Sequence, residues 1–268
     1  MKTRSRLTVG GLLVLVVLVE TFWRPDAVAA EPESQAAPAL PAPDENLQPV
    51  SFNSVPPTTV PVSPKRARQR AFEQGIEEVR QSGILQKALG VGDKAIDFEL
   101  PMANGTNVRL SEMLAVGPVV VTFYRGNWGP YCNRQLQGLL EVLLDLHSAG
   151  AQLLVISPEV PDQALVTQRK NHLAFPVLSD KGNAVARQYG IVFRISDKVI
   201  PYYDEFFNIE AQNGDRSYEL PLAATYVIGS DRVIRYAFFD ADYKLRADPQ
   251  EILSAVRRQG VGATAAGQ

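Results

Sequence analysis

The chain's only cysteine, Cys132, follows a strand-like run, Val119-Val120-Val121-Thr122-Phe123, and precedes leucines spaced for a helix. A short unbroken run of β-branched and aromatic residues favours a buried strand. Leu136, Leu139, Leu140 and Leu143 recur every three or four positions, which puts them on one helical face. Between the two lies Tyr124-Arg125-Gly126-Asn127-Trp128-Gly129-Pro130-Tyr131. Pro130 suits the first helical position, where its missing N–H costs nothing, and Gly129 suits the cap before it. Cys132 is therefore expected in the first turn of a helix that leaves a central strand. Backbone amides without partners and the positive end of the helix dipole meet there, and both favour a thiolate.

The flanking segments extend this plan into an α/β chain. Ile96-Asp97-Phe98-Glu99-Leu100 and Val108-Arg109-Leu110-Ser111 surround the turn Ala103-Asn104-Gly105 and read as a small hairpin. The helix after Cys132 is expected to reach about His147, and Leu153-Leu154-Val155-Ile156-Ser157 is a second buried strand that completes a βαβ unit. Pro161 to about Asn171 reads as a helix, Pro176-Val177-Leu178-Ser179 as a short or edge strand, and Asn183 to Tyr189 as a helix closed by Gly190. Two further strands follow, Thr225-Tyr226-Val227-Ile228 and Val233-Ile234-Arg235-Tyr236-Ala237-Phe238, with a turn at Gly229-Ser230-Asp231. Asp248-Pro249-Gln250-Glu251 then offers an N-cap, a proline at N1 and a capping-box glutamate for a last helix.

The first part of the chain does not belong to this core. Lys2, Arg4 and Arg6 precede the apolar stretch Leu12 to Val19, and Ala27-Val28-Ala29-Ala30 supplies small residues, so residues 1–30 read as a signal peptide. The mature chain is expected to be exported, to a periplasm or to the medium. An uncleaved segment would be its one route to a membrane, and the apolar stretch falls short of the ~20 residues a spanning helix needs. Residues 31–65, rich in Pro, Ala, Ser and Val, read as a disordered linker. Residues 66–89 space Phe72, Ile76, Val79, Ile84, Leu85 and Leu89 as an amphipathic helix that can dock on the domain or on a second copy in a homodimer. A net charge of -2, with Lys and Arg dispersed, leaves no footprint for nucleic acid.

Taken with the order of the later elements, Phe123-Tyr124-Arg125-Gly126-Asn127-Trp128-Gly129-Pro130-Tyr131-Cys132-Asn133 resembles the peroxiredoxin-like branch of the alkyl hydroperoxide reductase and thiol-specific antioxidant family. Gly92-Asp93-Lys94-Ala95-Ile96-Asp97-Phe98, Leu110-Ser111 before Gly117-Pro118, and Ala224-Thr225-Tyr226 before Val233-Ile234-Arg235 support the likeness, which runs from Gly92 to about Gly260. The resemblance implies a thioredoxin-like fold, a central mixed sheet flanked by helices, over residues 90–262. Members of this branch commonly carry Trp-Cys-Pro-Tyr-Cys, whereas the first cysteine position here is Gly129, so Cys132 matches the second, the place of the peroxide-attacking sulfur in peroxiredoxins. The threonine of the peroxiredoxin loop also falls on Gly129. The family's arginine, like the thioredoxin-like cis-proline, falls on Ala223.

The resemblance implies an antioxidant thiol peroxidase in which Cys132 attacks hydrogen peroxide or an organic hydroperoxide and an external thiol restores it. Arg125 on the same loop is the expected source of positive charge, and Trp128 and Tyr131 are the candidate substrate contacts. Gln135, where many peroxiredoxins carry a glutamate, reads as structural. Two other readings stand beside this one: a degenerate thioredoxin-like binding or scaffold domain, and a mixed-disulfide partner through an exposed Cys132. No cofactor is called for. His147 reads as a charge near a helix end and His172 as a loop residue, and with a single cysteine they give no metal-ligand spacing.

Overall fold

The computed structural model describes residues 63–263, with side chains to 259, so the signal peptide and the linker up to residue 62 lie outside the described residues. Ser63 caps α1 (Pro64–Gln81), its side chain accepting from the Arg66 N–H, and Phe72, Ile76 and Val79 lie on one face. The amphipathic helix expected over 66–89 thus starts at Pro64 and breaks after Gln81. Gly83, at φ +75, turns the chain into the one-turn helix α2 (Ile84–Lys87). The predicted hairpin follows as β1 (Glu99–Pro101) and β2 (Asn107–Arg109), and Leu110 opens the short helix α3 (Leu110–Leu114).

β3 (Val119–Phe123) is buried at every residue and leads into α4 (Pro130–Glu141). One continuous helix to His147 is not what forms. Val142 leaves helical geometry at φ -98 and ψ 1, so that α5 (Leu143–Ser148) starts as a separate helix, and Val142, Leu143 and Leu146 are buried in the core. Next come β4 (Gln152–Ser157), α6 (Pro161–Lys170), β5 (Val177–Ser179) and α7 (Ala184–Gln188). No element is predicted for the stretch from 191 to 222. It forms a two-stranded antiparallel ribbon, β6 (Val192–Arg194) with β7 (Glu219–Pro221), enclosing α8 (Ile200–Phe207) and α9 (Ile209–Asn213). β8 (Thr225–Ile228), β9 (Ile234–Phe238) and α10 (Pro249–Ala263) complete the described chain. Asp248 caps α10 through the Gln250 N–H at 2.7 Å, while Glu251 accepts from the Tyr236 hydroxyl at 3.3 Å rather than from the cap residue.

The main sheet runs β5-β4-β3-β8-β9, with β4 parallel to β3 and β5, and β8 antiparallel to β3 and β9. This is the expected α/β architecture, a thioredoxin-like central mixed sheet flanked by helices. Side chains alternate across the pleat of β3. Val119, Val121 and Phe123 pack with Leu110, Tyr189 and Ile76 on one face. Val120 and Tyr124 pack on the other with Cys132, Leu136 and Leu139 of α4 and Ile252 and Val256 of α10. Cys132 belongs to the buried stripe of α4, four residues before Leu136, so the fold holds its sulfur against the C-terminal end of β3.

Candidate active site

The loop from β3 to α4 is held from below by one carboxylate. Glu159, fully buried after β4, accepts from the Tyr124 hydroxyl at 2.6 Å, the Asn127 N–H at 2.9 Å and the hydroxyls of Ser157 and Thr167. Burial pushes its pKa up, against these donors. Sequence reasoning missed Glu159, because its partners come from three separate segments. Gly126 sits at φ +148, and a Cβ there would lie 2.2 Å from the Trp128 indole nitrogen, so only glycine lets the indole fold back on the loop. The Asn133 side chain donates to the Asn127 carbonyl at 2.8 Å and ties the loop to the helix it opens.

Gly129 caps α4 without a side-chain hydrogen bond, Pro130 is its first residue, and no acidic side chain lies in the first turn. The positive end of α4 is therefore not neutralised by its own residues. Cys132 is 2% exposed, and its sulfur lines a cleft of about 160 Å³. A Cβ on Gly129 would stand 3.2 Å from that sulfur, so the small residue at this family position leaves the sulfur room.

All four sequence-predicted site residues line this one cleft. Arg125 is buried, donates from Nε to the Pro221 carbonyl at 3.2 Å, and lies over the rings of Phe193 and Tyr243 at 4.8 and 5.4 Å. Trp128 packs on Phe207 at 4.7 Å and edge-on to Tyr203 at 5.4 Å, and Tyr131 meets Tyr243 edge-on at 5.7 Å. The guanidinium that reaches the sulfur is a different one. Arg246, between β9 and α10, points Nη2 at Cys132 Sγ across 3.6 Å. Its other hydrogen bonds run to the carbonyls of Tyr243 and Leu245, and among the described residues it forms no ion pair with a carboxylate. Nearby Asp242 is engaged with Lys244 at 3.3 Å. Burial pulls the Arg246 pKa below its ordinary value, with the Cys132 sulfur acting the other way. Nothing local in Asp242-Tyr243-Lys244-Leu245-Arg246 marks this arginine in the sequence.

Other expectations find their places. Gln135 is buried and donates to the Thr225 hydroxyl at 3.2 Å, bridging α4 to β8. Ala223 is buried and brings no charge, and the described residues contain no cis peptide bond. His147 and His172 are both exposed. A larger groove of about 400 Å³ between α1, α2 and β6 does not include Cys132 in its lining; three of its charges pair, Arg187 with Glu219, Arg194 with Asp197 and Glu78 with Lys198.

A family model described as AhpC/TSA matches residues 91–237, over half of the 268-residue chain. The chain belongs to the AhpC/TSA family. Among its relatives in that family, a Mycobacterium tuberculosis chain with a provisional peroxiredoxin name is 30% identical over 119 residues, 44% of this chain and 77% of the relative. Peroxiredoxin Bcp of Escherichia coli is 34% identical over 103 residues, 38% of this chain and 65% of that protein. The crystal structure of peroxidoxin BcpB from Mycobacterium tuberculosis superposes with a TM-score of 0.50 at 25% identity, covering 63% of this chain and 97% of the other. Within the AhpC/TSA family frame, α1, Tyr243 and Arg246 all lie outside the matched residues.

Proposed function

We propose that this chain is a thiol-dependent peroxidase with Cys132 as its single peroxidatic sulfur. The observation that carries the reading is Arg246 Nη2 at 3.6 Å from Sγ, a half-buried cation whose hydrogen bonds among the described residues run only to carbonyls and to the sulfur of a lone cysteine at a helix N-terminus. In this reading the Cys132 thiolate is the nucleophile, with the Arg246 guanidinium placed beside it. The thiolate attacks the terminal oxygen of a hydroperoxide, forming an S–O bond as the O–O bond breaks. The leaving oxygen departs with the electron pair and takes up a proton, while Arg246 is placed to follow that charge. The product is a sulfenic acid on Cys132. With no second cysteine in the chain, an external thiol condenses with it to a mixed disulfide and water, and a second thiol frees Cys132.

Arg125 holds the cleft wall between Phe193 and Tyr243 and adds positive potential, and Trp128 and Tyr131 contact the substrate. The reading includes export, on the charge pattern of Lys2, Arg4 and Arg6 and the small residues of Ala27-Val28-Ala29-Ala30. In an oxidising compartment the restoring thiol is a small molecule or a partner protein, and a homodimer is compatible with either. The test is peroxide consumption by the purified protein with an added thiol, alongside dimedone trapping of the sulfenic acid. Cys132→Ser is expected to abolish both signals; turnover that survives this substitution removes the reading.

A further inference from the structure

Asn171 caps the C-terminal end of α6, is 8% exposed and does not line the cleft. Its Nδ2 donates twice, to the Thr167 carbonyl at 3.0 Å and to Asn133 Oδ1 at 3.3 Å. Asn133 stands next to Cys132 in the first turn of α4 and passes the link on, donating from Nδ2 to the Asn127 carbonyl. The Asn127 N–H reaches Glu159 Oε1 at 2.9 Å, and the Thr167 hydroxyl lies 3.1 Å from Glu159 Oε2. Glu159, Asn127, Asn133, Asn171 and Thr167 thus close a ring of hydrogen bonds. It runs through the loop that leaves β3, the first turn of α4, the end of α6 and the turn after β4.

The direction of each amide is fixed. The Asn127 and Thr167 carbonyls can only accept, so both asparagines turn Nδ2 towards them, which leaves Asn133 Oδ1 facing an Asn171 donor. Gln137, one turn further along α4, donates to the Asn171 carbonyl at 2.9 Å, so α4 holds this residue at two heights. Apolar side chains would fill the same space without desolvating polar groups, so packing alone gives no reason for the ring. A connected polar network specifies one arrangement. This one fixes the chain on both sides of Cys132, at Asn127 before it and Asn133 after it. The sulfur meets Arg246 across 3.6 Å, and a misplacement of about 1 Å can cost a reacting group about a hundredfold in rate.

We propose that Asn171 is a positioning residue for Cys132: through Asn133 it holds the first turn of α4 so that the sulfur stays against Arg246. The proposal rests on Cys132 being the reacting sulfur. Asn171 exchanges nothing with the substrate and acts through the backbone that carries Cys132.

The experiment reads the reactivity of reduced Cys132 in the full chain twice at neutral pH. One reading is the rate with hydrogen peroxide, followed by tryptophan fluorescence through one turnover; the other is the rate of alkylation by iodoacetamide, followed by mass. Asn171→Leu removes both donations at similar volume and is expected to slow both reactions by about tenfold. Asn133→Ala opens the ring from the helix side and is expected to do the same, and the two together should cost no more than either alone. Arg169→Ala, exposed on the same turn of α6, is expected to leave both rates unchanged. The deciding arm is the cycle with Arg246→Met. Once the guanidinium is gone, Asn171→Leu is expected to add less than about twofold, whereas a merely structural loss multiplies in full.

Full multiplication in that background, or a loss under about twofold in either single variant of the ring, overturns the proposal and leaves the peroxidase reading intact. Should Asn171→Leu not fold, Asn133→Ala carries the same cycle. A Cys132 that consumes no peroxide removes the peroxidase reading, and the alkylation cycle then decides the positioning role by itself.

Discussion

Replacing Arg246 with methionine keeps much of the side chain's volume and removes its charge. Two unit charges about 4 Å apart near a protein surface interact by about 4 kcal/mol. The Nη2–Sγ separation of 3.6 Å is close to that reference distance. The guanidinium charge is spread over several atoms, Arg125 remains in the cleft wall, and water partly replaces what is lost. About half of the interaction, ~2 kcal/mol, is the expected loss, which corresponds to a rate lower by about 30-fold. The assay is rapid mixing of the reduced protein with excess hydroperoxide at neutral pH, following tryptophan fluorescence through one turnover. Arg246→Lys retains the charge without the planar fork and is expected to fall between the two. Circular dichroism should overlay for all three, because Arg246 bonds only to carbonyls of its own loop and to the sulfur. A loss smaller than about threefold in Arg246→Met would refute the assignment of the sulfur's counter-charge to this residue.

Two further outcomes follow from the loop beneath the site. Burial raises the folded-state pKa of Glu159, so its contribution to stability is complete below the unfolded value of about 4.3 and is lost as pH rises through the raised folded value. The thermal midpoint of the native protein minus that of Glu159→Gln is therefore expected to fall from pH ~4 towards pH ~7, and a flat or rising difference contradicts the sign. Gly126→Ala forces a methyl to within 2.2 Å of the Trp128 indole at a backbone angle that L-residues avoid. It should cost about 1–3 kcal/mol in urea unfolding and shift the tryptophan emission, and an unchanged spectrum would mean that the indole does not fold back on Gly126.

The sequence alone determined the junction that matters most. Val119–Phe123, Gly129, Pro130 and the leucines of α4 act through neighbours a few positions away, so strand, cap and helix phase were all readable, and with them the address of Cys132. Family membership was readable for the same reason, since the resemblance rests on contiguous motifs. Local pattern lost its force between 191 and 222, where β6 and β7 are three residues each and the helices between them are short. It also passed over the breaks at Gly83 and Val142, where packing of the next apolar residues outweighed helix continuity.

Only the tertiary structure decided what surrounds the sulfur. Arg246 lies 114 residues from Cys132 along the chain, Phe72 and Tyr203 arrive from α1 and α8, and Glu159 from the turn after β4. Periodicity reports which face of an element is buried and says nothing about which distant side chain will meet it there. That pairing is set by the order of strands in the sheet and the crossing of helices over it, so the charge, the rings and the carboxylate of this site became visible only once the layers were stacked.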